Sequence, residues 1–110
     1  MWIASKNGFL SVVQHREKPD QVLVRARVRK DLETIFPDES IIETPEGDYR
    51  FRVFVSKQAA VEIISQQVWD IDYPNFKNAI SDTPDQKDKL NAYHEIWAVM
   101  WNYAKRINKS

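Results

Sequence analysis

Hydrophobic and polar side chains alternate most regularly over residues 21–28 of the chain. One side of this pattern carries Val22, Val24, Ala26 and Val28, and the other carries Leu23, Arg25 and Arg27. Residues 48–55 repeat the alternation, with Tyr49, Phe51, Val53 and Val55 on one side and Arg50, Arg52 and Phe54 on the other. A period of two is typical of a strand that packs one face on a core and wets the other. The pattern therefore predicts two such strands.

Further strands are predicted on either side of these two. Residues 9–15 are rich in β-forming side chains and predict a strand. The preceding Asn7-Gly8 predicts either a small hairpin with residues 2–5 or a bulge where the strand begins. Pro45-Glu46-Gly47 has the composition of a tight turn, and it predicts a hairpin between residues 41–44 and the second alternating segment.

Helices are predicted between and after the strands. Residues 31–36 predict a short helix that Pro37 ends. Ser56 is the predicted N-cap of a helix over residues 57–69. Its apolar stripe, which we expect to pack inward, comprises Ala60, Val61, Ile64 and Val68. Residues 75–80 predict one or two more helical turns.

The last predicted helix begins at a capping box. Thr83-Pro84-Asp85-Gln86 places an N-cap residue before proline at the first helical position, with glutamine at the third. Lys105, Arg106 and Lys109 lie at the other end, where cations suit the helix dipole. The pattern predicts a helix of about two dozen residues, roughly 36 Å long.

The order of elements is ββαββα followed by extra helices, which predicts an α+β fold in a single domain over residues 1–110. Short connections favour a four-stranded antiparallel sheet with the first two helices on one face. One arrangement that closes this order is a permuted ferredoxin-like sandwich. In it, Val24 and Val53 lie on neighbouring central strands and point into the core.

The same arrangement gathers arginines on the opposite face of the sheet. The candidate anion-binding residues are Arg25, Arg27, Arg50, Arg52 and Phe54, with Arg29 extending the row. Like charges placed opposite one another destabilise a sheet, so such a cluster needs acids such as Glu43, solvent or an anionic ligand. We expect a small non-catalytic binding module whose arginine face contacts single-stranded nucleic acid or RNA. A solvated or salt-bridged face and a protein interface are the alternatives.

Apolar residues cover more of the last helix than packing on one surface requires. The candidate interface residues are Tyr93, Ile96, Trp97, Met100, Trp101 and Tyr103. Tryptophan and tyrosine are enriched in interface hot spots. Three interpretations stay open: burial inside the chain, a homodimer, and a foreign protein partner for which the chain is an adaptor or a phage-type inhibitor.

Composition removes several kinds of chemistry. The 110 residues include 16 basic and 16 acidic side chains, 2 glycines and no cysteine. The absence of cysteine excludes thiol nucleophiles and thiolate metal sites, and two glycines cannot form a glycine-rich phosphate loop. His15 and His94 lie in no metal-ligand motif, so we expect no metal and no cofactor. Asp70 and Asp72 are the remaining pair, either capping residues or the carboxylates of a metal-dependent hydrolase.

Location is predicted from the same composition. No apolar run approaches the roughly 20 residues of a membrane span, so we expect no membrane contact. The first eight residues lack the apolar stretch of a signal peptide, which predicts a cytoplasmic protein.

Several short motifs occur together along the chain: Met1-Trp2, Gly8-Phe9, residues 24–28 (Val-Arg-Ala-Arg-Val) and residues 72–77 (Asp-Tyr-Pro-Asn-Phe-Lys). With a tryptophan-containing last helix, they resemble a family of small uncharacterised bacterial proteins of about this length. The resemblance covers nearly the whole chain. It implies a free-standing bacterial or phage-borne domain, and it implies no activity, catalytic residue, cofactor or partner.

Overall fold

The computed structural model describes residues 1–84 and 86–109. The chain forms two compact units, Met1–Asp72 and Tyr73–Ser110. The first unit contains all the strands and two helices, and the second contains two helices. The expectation of a single domain over residues 1–110 stays a prediction.

An antiparallel sheet of five strands forms the first unit, so the protein is α+β. The strands are β1 (Trp2–Ser5), β2 (Gly8–Gln14), β3 (Gln21–Ala26), β4 (Ile42–Glu43) and β5 (Phe51–Ser56). They lie side by side in the order β1-β2-β3-β5-β4. The prediction of four strands is wrong because residues 2–5 do form the hairpin, in which Ser5 pairs with Gly8.

The helices of the first unit are α1 (Arg29–Ile35) and α2 (Lys57–Trp69), and those of the second are α3 (Phe76–Asp82) and α4 (Lys89–Ile107). Ser56 caps α2 as predicted, because its Oγ accepts a hydrogen bond from the backbone N–H of Ala59 at 3.0 Å.

The core of the first unit lies on one face of the sheet, as the alternating patterns predict. Val24 and Val53 are directly paired across β3 and β5, and their side chains are 0% and 1% exposed. Residues from β2, β3, β5, α1 and α2 complete the cluster: Leu10, Val22, Ala26, Leu32, Ile35, Phe36, Val55 and Ala60. The predicted inward orientation of Val24 and Val53 on neighbouring strands is therefore confirmed.

The inner face of α2 differs from the predicted stripe. Ala60 and Ile64 pack on the core, but Val61 and Val68 are exposed. The helix is rotated so that Ala59 and Ile63 face inward instead. These residues and Ala60 and Ile64 fall at helical spacings of three and four, so they form a complete inner stripe of their own.

Gly8, in the first hairpin, packs closely against Asp31 of α1. Its φ of +155° belongs to the region that favours glycine, and a Cβ added here would lie 2.6 Å from the Cβ of Asp31. The buried Asp31 carboxylate accepts a hydrogen bond from the backbone N–H of Phe9 at 3.0 Å. The hairpin can therefore lie against α1 only when residue 8 has no side chain.

In the second unit, α3 packs against the first turns of α4. The Asn75 side chain caps α3 by accepting from the N–H of Asn78, and the rings of Phe76 and Tyr93 stack with centroids 5.6 Å apart. The predicted start of the last helix at Pro84 is wrong, since α4 begins at Lys89.

Thr83 belongs to the end of α3 and not to the start of α4. It is the C-cap of α3, and its hydroxyl donates to the backbone carbonyl of Ala79 at 2.6 Å. Asp85 of the predicted capping box lies outside the described residues.

Candidate functional site

The face of the sheet opposite the core carries a row of side chains that crosses all five strands. The strand registers pair Trp2 with Ser11, Ser11 with Arg25, Arg25 with Arg52, and Arg52 with Ile42. Residues paired across antiparallel strands project to the same side of a sheet. Two arginines therefore lie opposite each other in the middle of this face.

Arg25 and Arg52 have few partners for their charge. The Nη2 atom of Arg25 donates to the hydroxyl of Ser11 at 2.9 Å, and that of Arg52 donates to the backbone carbonyl of Tyr49 at 3.3 Å. The Nε atoms of both arginines are buried and have no hydrogen-bond partner. No acidic side chain among residues 1–84 and 86–109 forms an ion pair with either.

The other three predicted arginines are paired with carboxylates. Arg27 contacts Asp48 at 3.2 Å, Arg29 contacts Glu33 at 2.9 Å and Arg50 contacts Glu43 at 3.3 Å. The pairing of Glu43 with an arginine of this face was one of the predicted alternatives. The prediction that Arg29 extends the row is wrong, because β3 ends at Ala26 and Arg29 is the first residue of α1. Of the five predicted arginines, three are paired with carboxylates and two, Arg25 and Arg52, have no acidic partner among the described residues.

A cleft of about 520 Å³ opens beside Arg25 and Arg52. Its lining includes three guanidinium groups, those of Arg16, Arg25 and Arg52, and one carboxylate, that of Glu17. The lining therefore has an excess of two positive charges. Clefts of this size hold small organic ligands, and the charge favours an anion.

His15 supplies a further donor at the cleft. Its Nδ1 accepts hydrogen bonds from the backbone N–H groups of Glu17 and Lys18, at 3.0 and 3.1 Å. A ring nitrogen that accepts is unprotonated, so the proton of the neutral ring lies on Nε2. The ring packs beside that of Phe54, with centroids 5.0 Å apart.

Aromatic rings accompany the arginines on this face. Phe54, a predicted site residue, is 42% exposed at the cleft. Trp2 is 70% exposed, and its ring lies 5.8 Å from that of Phe9 on the neighbouring strand. Both belong to the same face, because Trp2 pairs with Ser11 and Phe9 lies two residues from it along β2.

Tyr49 is placed differently from the prediction that put it on the core side. It precedes β5, so the alternation of the strand does not apply to it. Its ring lies against the guanidinium groups of Arg25 and Arg27, whose Cζ atoms are 4.5 and 4.2 Å from the ring centroid. The buried ring orients Arg25 by a cation–π contact.

The predicted interface residues of α4 are mostly exposed. Trp97 and Trp101 stack with centroids 6.1 Å apart, and the ammonium groups of Lys77 and Lys105 lie over them. Ile96, Met100 and Tyr103 are also exposed. Tyr93 is buried against Phe76, so the structure removes it from the candidate surface.

Asp70 and Asp72 make different contacts and do not form a pair of carboxylates with a common partner. Asp70 is the C-cap of α2 and accepts a hydrogen bond from the Gln66 side chain at 2.7 Å. Asp72 is exposed and lies 3.9 Å from the ammonium group of Lys6. Within the described part of the chain, no group of three or more histidine, aspartate or glutamate side chains is arranged to hold a metal ion.

Sequence reasoning did not select Trp2, Phe9 and His15 for this site. Phe9, Ser11 and Val13 follow one another at a period of two along β2, and His15 continues that spacing just after the strand ends. That spacing would have placed the aromatic rings beside Arg25 if the register between β2 and β3 had been known. Charge and alternation identify faces, but they do not determine how one strand is shifted along another.

None of the helices within residues 1–84 and 86–109 is both long and apolar enough to cross a lipid bilayer.

Comparisons with protein-family models, curated proteins and solved structures find no match to this chain. The resemblance to small bacterial proteins stays a prediction.

Proposed function

We propose that the protein is a non-catalytic binding module that contacts single-stranded nucleic acid through the face of β2, β3 and β5 that carries Arg25 and Arg52. The observation that supports this most strongly is the pair itself. Two guanidinium groups lie opposite each other at a positively charged cleft, and neither has an acidic partner among the described residues.

A phosphate group is the ligand that this pair fits best. Arginine offers several N–H donors in a planar fork that matches phosphate oxygens, and neither guanidinium group has an acidic partner among the described residues. A phosphate bound between the two guanidinium groups would attract both of them and offset their mutual repulsion. The hydroxyl of Ser11, the imidazole of His15 and the guanidinium of Arg16 lie at or beside the same cleft.

The aromatic rings favour a nucleotide over a simple anion. Exposed rings on a sheet stack with unpaired bases, and each stacked base contributes about 1–3 kcal/mol to binding. Phe54 and His15 lie at the cleft, while Trp2 and Phe9 lie farther along the same face. Hydrogen-bond donors for phosphate therefore lie between two groups of aromatic rings. This arrangement suits an extended nucleic-acid strand whose bases are not paired.

Fluorescence anisotropy with labelled single-stranded oligonucleotides of mixed sequence tests this function. Three cations at the cleft predict a log–log salt slope of about −2, and hence binding roughly twentyfold weaker at about 200 mM than at about 50 mM salt. Replacing two of the three, in Arg25→Ala with Arg52→Ala, should reduce the slope to about −0.7.

Arg29→Ala is the matched control, because it removes the same charge from a guanidinium that pairs with Glu33. We expect its affinity and salt slope to resemble those of the unaltered chain. The absence of binding at low salt, or equal losses in the control and in the double variant, would contradict the proposal.

We also propose the permuted ferredoxin-like sandwich as the class of this fold. The strand sequence β2-β3-β5-β4 within the sheet supports it, with β1 as an addition at the edge. The packing of α1 and α2 on one face is consistent with the same class.

A further inference from the structure

The surface of α4 carries an apolar seam that no other part of the second unit covers within residues 73–84 and 86–109. The seam consists of Ile96, Met100, Tyr103 and Ile107, spaced four, three and four residues apart. All four side chains are exposed, Met100 to 56%. This spacing repeats every 3.5 residues, and it is the spacing at which two helices pack side by side along their length.

The helix that packs on α4 within its own unit is too short to cover the seam. With 7 residues, α3 spans about 10 Å, whereas the 19 residues of α4 span about 28 Å. Its ring contact with α4 is at Tyr93, in the second turn, and the seam begins just beyond it. The seam therefore extends beyond what α3 can cover, and a helix as long as α4 would match its full length.

We propose that the occupant of the seam is α4 of a second copy of this chain, packed antiparallel. Knobs-into-holes packing of two antiparallel copies brings Ile96 of one beside Ile107 of the other, and Met100 of one beside Tyr103 of the other. The flank beside the seam carries Trp97 toward one end and Ala104 toward the other. Reversing the second helix sets the large indole of each copy against the small alanine of the other.

The charges along α4 select the same orientation. Lys105, Arg106 and Lys109 give the end of the helix an excess of positive charge, whereas Lys89 and Glu95 in its first half cancel each other. A parallel pair would place three cations of one copy beside three of the other. An antiparallel pair separates the two basic ends and brings each beside Glu95 of the other copy, which lowers the electrostatic free energy of the pair.

Sedimentation equilibrium of the full chain tests the association. We expect a dimer that dissociates to a monomer on dilution. Met100→Glu places a carboxylate in the middle of the seam, and each pair would then bury two unpaired charges, so we expect at least about a hundredfold weaker association. Because Met100 is exposed in the single chain, the helix content by circular dichroism should not change.

Asn102→Glu is the matched control, since it adds the same charge to an exposed position of α4 away from the seam. It should leave the dimer intact. Val61→Glu alters an exposed apolar residue of α2 and should also leave it intact. A chain that is monomeric at every concentration, or a dimer that only Val61→Glu dissociates, would overturn the proposal.

Orientation is tested by disulfide formation, because the chain has no cysteine of its own. A mixture of Ile96→Cys and Ile107→Cys chains should form a disulfide between the two variants under mild oxidation. Ile107→Cys chains alone should not crosslink, because their thiols lie at opposite ends of the pair. Efficient crosslinking of Ile107→Cys with itself would show a parallel pair and overturn the antiparallel arrangement.

Discussion

Arg25 and Arg52 lie directly opposite each other on the two central strands of the sheet, and neither has an acidic partner among the described residues. Like charges at paired positions lower the stability of a sheet by up to about 1 kcal/mol. Their neighbours Arg27 and Arg50 are neutralised by Asp48 and Glu43. The fold therefore retains one unfavourable pair at the place where a phosphate would remove the repulsion.

Replacing one member of this pair should separate stability from binding. Arg52→Thr removes the repulsion and introduces a strand-forming side chain, so we expect the free energy of unfolding to rise by about 0.5 kcal/mol. Binding to a single-stranded oligonucleotide should weaken in the same variant. Urea unfolding and anisotropy measure the two quantities.

Arg50→Thr is the control for this variant, because Arg50 is paired with Glu43 in the folded chain. It should give no gain in stability. A loss of stability in Arg52→Thr equal to that in Arg50→Thr would indicate that the opposed arginines support the fold.

Phe54 should contribute to affinity without contributing to the salt dependence. Phe54→Ala removes a stacking surface and no charge, so we expect binding weaker by about 1–3 kcal/mol with an unchanged salt slope. The matched control is Trp69→Ala, an exposed ring at the end of α2 on a different surface. Equal losses from the two variants would show that the ring at the cleft has no particular role.

The first hairpin depends on the absence of a side chain at residue 8. Gly8→Ala places a Cβ 2.6 Å from that of Asp31 and strains the backbone at φ +155°, so we expect the free energy of unfolding to fall by about 2 kcal/mol or more.

Gly47→Ala is the comparison, since its nearest atoms are backbone oxygens at 3.3 Å. It should reduce stability by a smaller amount. Urea denaturation of the two variants measures the difference, and an equal effect at both glycines would contradict the assigned contact between Gly8 and Asp31.

The start of α2 depends on one side-chain hydrogen bond. Ser56→Ala removes the acceptor for the N–H of Ala59 and should lower the free energy of unfolding by about 1 kcal/mol. Ser65→Ala changes an exposed serine inside the same helix and should have little effect, because alanine has the higher helix propensity. A larger effect at Ser65 in thermal unfolding would refute the capping role.

Strands β3 and β5 were predictable because each has one buried apolar face. The alternation around Val24 and Val53 determines which side of each strand is buried, and their pairing follows from the order of elements. The range of α2 was predictable for a similar reason, since Ser56 marks its start and Asp70 its end. These are local patterns, and a sequence displays them directly.

The partners of the arginines could not be predicted in the same way. Whether Arg27 reaches Asp48 depends on the geometry of the loop before β5, which alternation does not describe. The same loop geometry places the ring of Tyr49 against Arg25 and Arg27, and not on the core side that the alternation predicts. The late start of α4 could not be predicted either, because a threonine hydroxyl can bond to the carbonyl four residues earlier, as that of Thr83 does, or cap the next helix.

The most direct measurement of nucleic-acid binding at this face observes the Nε–H groups of the arginines. In a chain labelled with ¹⁵N on arginine, the Nε resonances of Arg25 and Arg52 should shift on addition of a single-stranded RNA oligonucleotide, because a phosphate bound at the cleft changes the environment of both guanidinium groups. The resonance of Arg29 should stay in place. Unchanged Arg25 and Arg52 resonances at saturating RNA would contradict binding at this face.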